Sequence, residues 1–293
     1  MVQVPPHRVG ADQAAALREL VSSRREPRRR GRMIAVTSGK GGVGKTNVAV
    51  NLSICLAARG LRVVLVDVDM GLANADLLLN ARARHNLSHV VSGICPIEQA
   101  GTRTAARVLF VPGGSGIADL ADLSAFDRQN VINQIRSLET DCDALVLDCG
   151  AGISDNVLSF ARAADVCLLV TTPEPTALTD AYALVKVLVN SGWTGAIRLL
   201  VNLVESRSEA RQVHGRLTTV ATRFLKYPIA DAGYLVQDSH VELAVRQRCP
   251  FVLRYPRCPA SACMTAVAGR FAGARKASGG PAKLFRRVVG LFV

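Results

Sequence analysis

The sequence predicts a single α/β domain with a mostly parallel central sheet and helices on both faces. Three observations lead there. From Met33 onward, short apolar runs alternate with amphipathic stretches, the pattern of repeated βαβ units. Several runs, such as Val63-Val64-Leu65-Val66, are unbroken, as suits strands buried on both faces. The first run, Met33-Ile34-Ala35-Val36, feeds a glycine-rich turn that opens into the helical-looking segment Asn47 to Ala58. With 293 residues, 49% apolar and 20% charged, the chain can bury a full core as one domain.

The turn reads Ser38-Gly39-Lys40-Gly41-Gly42-Val43-Gly44-Lys45-Thr46. It meets the template Gly-x-x-x-x-Gly-Lys-Ser/Thr through Gly39, Gly44, Lys45 and Thr46. Glycines let backbone N–H groups close around an anion, because no Cβ obstructs positive φ or near contact. Lys45 supplies charge to the β/γ-phosphates, Thr46 a hydroxyl for Mg²⁺, and the helix start its partial positive charge. Gly39, Gly41, Gly42, Val43, Gly44 and Asn47 are the expected cradle. A second lysine, Lys40, lies inside the loop.

The next strand, Arg62 to Asp67, delivers Asp67, Asp69 and Asp76 at its C-terminal end, the edge where open α/β sheets bind ligands. Arg107 to Pro112 is a further strand, and Gly113-Gly114-Ser115-Gly116 after it suits a tight connection better than a second phosphate site. A helix from Ala125 to Glu139 leads to the strand Ala144 to Asp148. An acid at a strand tip beside a phosphate loop is the Walker B arrangement for hydrated Mg²⁺. Cys149-Gly150-Ala151-Gly152 lets the backbone turn near the γ-phosphate. Strand Val166 to Thr172, turn Pro173-Glu174-Pro175 and helix Thr176 to Val189 follow, then strand Ile197 to Asn202, with Asn202 at the ligand-side edge. A helix from Glu209 to Arg223 and a short strand Phe224 to Pro228 are expected to complete the sheet. Asp238 to Arg248 and Ser261 to Phe271 read as covering helices.

The net charge of +13 belongs to the two ends. Residues 1–32 carry eight arginines against three acids, residues 270–293 carry six basic residues against none, and the body between holds 22 basic and 20 acidic residues. Such ends suit anionic surfaces. Ala11 to Val21 reads as a short helix capped by Asp12, followed by the arginine-rich linker Arg24 to Arg32. A helix outside the core either docks back on its own domain or folds on contact with a partner. At the other end, Ala274 to Pro281 is a linker by composition. It precedes Lys283 to Val293, where Leu284, Phe285, Val288, Val289 and Phe292 share one helical face, and Lys283, Arg286 and Arg287 turn away. That pattern suits an interfacial membrane helix, the alternative being a last helix packed on the core. No run reaches the ~18 apolar residues needed to span a bilayer, and no signal-peptide segment is present, so a cytosolic chain is expected. The eight cysteines form no C-x-x-C pair; they read as reduced thiols, or as a metal or cluster site among Cys249, Cys258 and Cys263.

On these residues the chain resembles the MinD/ParA class of P-loop ATPases, whose deviant Walker A motif carries a signature lysine at the place of Lys40. Within the class it is most similar to the MinD-like regulators of flagellar number and placement, the FlhG (FleN) group. Asp67 to Asp76 and Asp148 to Ser154 look like that group's switch regions. Asp12-Gln13-Ala14 with Leu17-Arg18 is similar to its activator helix, which stimulates the FlhF-type GTPase, and the tail resembles a MinD-type membrane-targeting sequence. The resemblance implies a single P-loop NTPase domain over 33–272, an activator helix and basic linker over 1–32, and a linker with membrane helix over 273–293. It implies ATP and Mg²⁺ as cofactors and an ATP hydrolase. Lys45 would bind phosphates, and Thr46, Asp69 and Asp148 would serve the metal. Asp69 would orient the attacking water, Lys40 would reach the nucleotide of the other subunit of a homodimer, and Asn202 with Pro228 to Asp231 would lie near the adenine. Partners implied are the FlhF-type GTPase through Asp12 to Leu20, the anionic inner membrane through Lys283 to Val293, and flagellar basal-body components. The chain would cycle between cytoplasm and membrane. A ParA-like ATPase acting on DNA, an iron–sulfur scaffold of the same fold and a nucleotide-sensing adaptor remain open alternatives.

Overall fold

A computed structural model describes residues 30–69, 74–114 and 123–272. The expected activator helix (Asp12 to Leu20), most of the arginine-rich linker and the membrane helix (Lys283 to Val293) lie outside the described residues, as does part of the loop after Asp69. Among the described residues no helix is long and apolar enough to cross a membrane.

The chain alternates as expected. Strand β1 (Arg32–Ser38) enters the loop, and helix α1 (Lys45–Ala58) leaves it for β2 (Val63–Asp67). Short helices α2 (Ala75–Leu79), α3 (Leu87–Val91) and α4 (Ile97–Ala100) lead to β3 (Thr102–Arg103) and β4 (Val108–Val111). Then come α5 (Ala125–Ser137), β5 (Ala144–Ala151), α6 (Asp155–Ala163), β6 (Val166–Thr171), α7 (Pro175–Asn190), β7 (Ala196–Val204), α8 (Arg207–Leu225) and β8 (Ala230–Val236). Helices α9 (Ser239–Arg246), α10 (Phe251–Arg254) and α11 (Pro259–Phe271) close the described chain.

The sheet order is β3-β4-β2-β5-β1-β6-β7-β8, parallel except for the β3–β4 pair. Alternation along β1 shows how both faces are filled: Met33 and Ala35 join the core under α5 to α8, while Ile34 and Val36 join the core under α1 and α11. All four are at most 1% exposed. The phosphate loop leaves β1, the strand between β5 and β6, where the connections diverge to opposite sides of the sheet; open sheets place their ligand crevice at such a point. Buried Asn51 ties the loop's helix to the covering layer, donating to the Asn47 carbonyl at 2.8 Å and accepting from the Val252 N–H at 3.1 Å.

Two expectations need correction. The strand placed at Phe224 to Pro228 is instead the end of α8 and a turn, because the buried stripe Ala210, Val213, Leu217 and Ala221 carries the helix on to Leu225. Lys226 ends it with φ of 54°. The last strand is Ala230–Val236, whose Ala-Asp-Ala-Gly start has low strand propensity and gains its conformation from pairing with β7. The sequence reading also assigned nothing between Asp76 and Arg107, where α2 to α4 and β3 lie.

Candidate active site

The loop is held from two sides. A Cβ on Gly39 would fall 2.1 Å from the backbone carbon of Asp180 in α7, so only glycine lets the loop lie against that helix. Gly44 takes φ of 90°, and a Cβ there would meet the Asn202 amide nitrogen at 2.5 Å. Asn202 itself, at the end of β7, donates to the Val43 carbonyl at 2.8 Å. The side chain expected near the base clamps the loop. Lys45 is the first residue of α1 and only 8% exposed, and Thr46 follows it into the same cleft.

That cleft, about 770 Å³, is lined by Gly41, Gly42, Gly44, Lys45, Thr46, Asn47, Asp69, Gly150 and Asn156. At its floor, strand register sets Asp67 beside Asp148. Both acids are 1% exposed. Asp67 accepts from the N–H groups of Asp69 (3.1 Å) and Ala75 (3.2 Å), yet burial raises its pKa to about 7. Neither carboxylate oxygen of Asp148 has a hydrogen-bond partner among the described residues. Burial, and then the neighbouring Asp67, push its pKa well above the ordinary range; the Thr46 hydroxyl and Lys45 ammonium pull it down. A buried carboxylate with unmatched oxygens, next to a threonine hydroxyl and a second acid, is a donor set that fits a hydrated divalent cation. Asp69 stands over the end of β5, where a Cβ on Gly150 would sit 3.5 Å from its Oδ1.

Lys40 points elsewhere. It does not line the cleft; its Nζ donates to Glu174 Oε1 at 2.6 Å and to Thr176 Oγ1 at 2.9 Å, at the start of α7. The Lys40 hydrogen bond, foremost, holds the Glu174 carboxyl below its usual range.

A second cavity of about 370 Å³ shares Gly42, Gly44 and Asn47 with the cleft and continues along Asn202, Val236, Gln237, Glu242 and Phe251. The segment Pro228 to Asp231, expected near the adenine, lies at the opposite edge of the sheet, where Asp231 pairs in register with Leu199 and holds Arg270 at 2.7 Å. Parallel pairing with β7 puts the C-terminal end of β8, not its start, at the loop. Sequence reasoning also passed over Asp67 as a metal-side group, although it ends an apolar strand as Asp148 does. Glu174 was read only as part of a turn.

A strand-loop-helix cradle with a buried lysine, a following threonine and strand-tip acids defines a P-loop nucleoside triphosphatase. The chain belongs to the ParA/MinD family of these proteins: the ParA family, described as NUBPL iron-transfer P-loop NTPase, matches residues 30–206. The antiactivator FleN of Pseudomonas aeruginosa is 41% identical over 236 residues, 80% of this chain and 84% of FleN. The flagellum site-determining protein YlxH of Helicobacter pylori is 35% identical over 218 residues, 74% of each chain. Among solved structures, the septum site-determining protein MinD of Pyrococcus horikoshii, complexed with Mg-ADP, superposes with a TM-score of 0.72 at 25% identity, covering 84% of this chain and 99% of that one. Proteins of this family are ATPases that use ATP and Mg²⁺. Among the described residues no three Cys, His, Asp or Glu side chains group as metal ligands. Of the three cysteines considered for a cluster, Cys258 is turned to Ser261, its Sγ 3.3 Å from that hydroxyl.

Proposed function

We propose that the chain is an ATP-hydrolysing dimerisation switch of MinD type that acts on flagellar number and placement. The observation that carries this reading is the division of labour between two lysines of one loop: Lys45 faces the cleft, and Lys40 stands outside it on an exposed acid. In the ATP state Lys45, Thr46 and the loop N–H groups hold the phosphates, and Lys40 leaves Glu174 to reach the nucleotide of a second subunit. Bound Mg²⁺ would draw charge from the β- and γ-phosphates, with Thr46, Asp67 and Asp148 on its side of the site. Asp69 orients a water for in-line attack: the water oxygen bonds to the γ-phosphorus, the bond to the bridging oxygen breaks, ADP leaves, and the water's proton ends on phosphate. Positioning and electrostatics supply most of the rate.

The rest of the reading rests on the flagellar relatives and on the two ends of the sequence. Paired tails, Lys283 to Val293, make a useful anchor from two weak ones on the anionic inner membrane. The segment Asp12 to Leu20 stimulates an FlhF-type GTPase, and basal-body components are further partners. The chain cycles between cytoplasm and membrane as ATP is bound and hydrolysed. The test is light scattering of the full chain with ATP and Mg²⁺. Lys40→Ala should stay monomeric while still binding nucleotide; a variant that dimerises like the parent overturns the lysine's role.

A further inference from the structure

Three parts of the described chain converge on the edge of the sheet opposite the loop. Arg30 and Gly31 lead into β1 there, with the Gly31 N–H bonded to the Glu139 carbonyl at 2.8 Å. Helix α11 ends there, Arg270 donating to the Asp231 carbonyl at 2.9 Å. Helix α8 arrives from the other face: Tyr227, just past its end, accepts from the Ile197 N–H at 3.1 Å and donates to the Gly195 carbonyl at 2.6 Å.

Charge along this edge is uneven. Under β2 and β5 the arginines are matched, Arg62 with Asp143 at 3.1 Å and Arg30 with Glu139. From β1 to β8, among the described residues, only Arg270 is matched, with Asp231 at 2.7 Å, while Arg32 at the start of β1, Arg223 and Lys226 form no ion pair. Behind them Arg198 lies over the Phe271 ring at 5.1 Å, its Nε buried without a hydrogen-bond partner among those residues. Beside the cations, Phe224 is 65% exposed, with the Arg223 guanidinium 5.4 Å above its ring. Unmatched cations around an exposed aromatic ring suit the headgroup zone of an anionic bilayer, where rings sit at the interface and arginines meet phosphates.

We propose that this edge, through Arg32, Arg223, Phe224, Lys226 and Arg270, is a lipid-facing platform that lies on an anionic bilayer. The inference rests on the reading of Lys283 to Val293 as the anchor. Ten residues, 273–282, separate Ala272 from it. Fully extended they reach at most ~36 Å, so an inserted anchor holds this edge close to the headgroups. Arg30, the first described residue, stands at the same edge, and the arginines before it in the sequence carry charge of the same sign.

The test uses the full chain with ATP and Mg²⁺ on vesicles of phosphatidylcholine alone or mixed with phosphatidylglycerol. Trp193, the one tryptophan of the sequence, lies between α7 and β7 at this edge and reports its approach. Brominated phosphatidylglycerol should quench its fluorescence. Arg223→Glu with Lys226→Glu should weaken partitioning onto anionic vesicles about tenfold or more and leave lipid-free ATP turnover unchanged. Arg32→Glu should act in the same direction. A chain truncated after residue 282 checks the anchor separately. If truncation abolishes binding while both charge-reversed forms bind like the parent and Trp193 stays unquenched, the anchor stands and the platform falls. A charge-reversal defect seen on duplex DNA, with vesicle binding intact, also overturns it.

Discussion

The two edges of the sheet solve opposite electrostatic problems. At the loop edge the helix start α1 points its N–H groups into the cleft, and the acids Asp67 and Asp148 are buried side by side. At the other edge helices α8 and α11 end, and cations sit on their last carbonyls: Lys226 donates to the Arg223 carbonyl at 3.2 Å and Arg198 to the Arg270 carbonyl at 3.1 Å. Helix dipoles favour anions at the first and cations at the second. The loop edge also buries two acids side by side, which burial and their mutual repulsion disfavour until a cation arrives with the phosphate. The acids of one edge therefore await a ligand, whereas at the other edge Arg30, Arg62 and Arg270 are already paired with acids.

This contrast can be broken by substitution. The largest effect is expected from Asp148→Asn, which removes a buried carboxylate that has no hydrogen-bond partner among the described residues. Mg²⁺-dependent ATP turnover should fall at least about a hundredfold while the ligand-free protein melts no lower than the parent, because the lost group costs stability unless it is matched. A variant that loses both turnover and melting temperature would make Asp148 a structural acid.

A smaller effect concerns pH. Asp67 has its pKa raised to about 7 in the folded chain, so the folded state binds a proton the unfolded state has released. The sign follows: the ligand-free chain should lose stability as pH rises from about 4 to about 7, and the loss should level off above that. Asp67→Asn should flatten this slope in a thermal melt series, and Mg²⁺ with ATP should flatten it for the parent, since metal binding expels the proton.

The smallest effect belongs to the far edge. Arg62→Ala breaks its pair with Asp143, which is half-exposed and should cost about 0.2–1 kcal/mol by denaturant titration. A loss as large as a core truncation would mean that this edge, too, stores buried electrostatics.

Much of the loop edge was legible in the sequence because its signals are local. The glycine template, Lys45, Thr46 and the acid after an apolar run each occupy neighbouring residues. What was not legible depends on register between distant strands. Asp67 was visible as a strand end, but its pairing with Asp148 arises only when β2 and β5 align. Asn202 was placed at the correct edge, but its bond to the Val43 carbonyl joins residues far apart in the chain. The last strand begins Ala-Asp-Ala-Gly, a poor local signal, whereas Phe224 and Tyr227 near the end of α8 imitate a strand.

The contact of Lys40 with Glu174 and Thr176 also bears on timing. It lies in solvent, and exposed side chains change rotamer in picoseconds to nanoseconds. A lysine so held is available almost as soon as a second nucleotide-loaded subunit arrives, so it adds no delay of its own. In the switch proposed above, encounter sets how fast the paired state begins, and bond cleavage at the γ-phosphate sets how long it lasts.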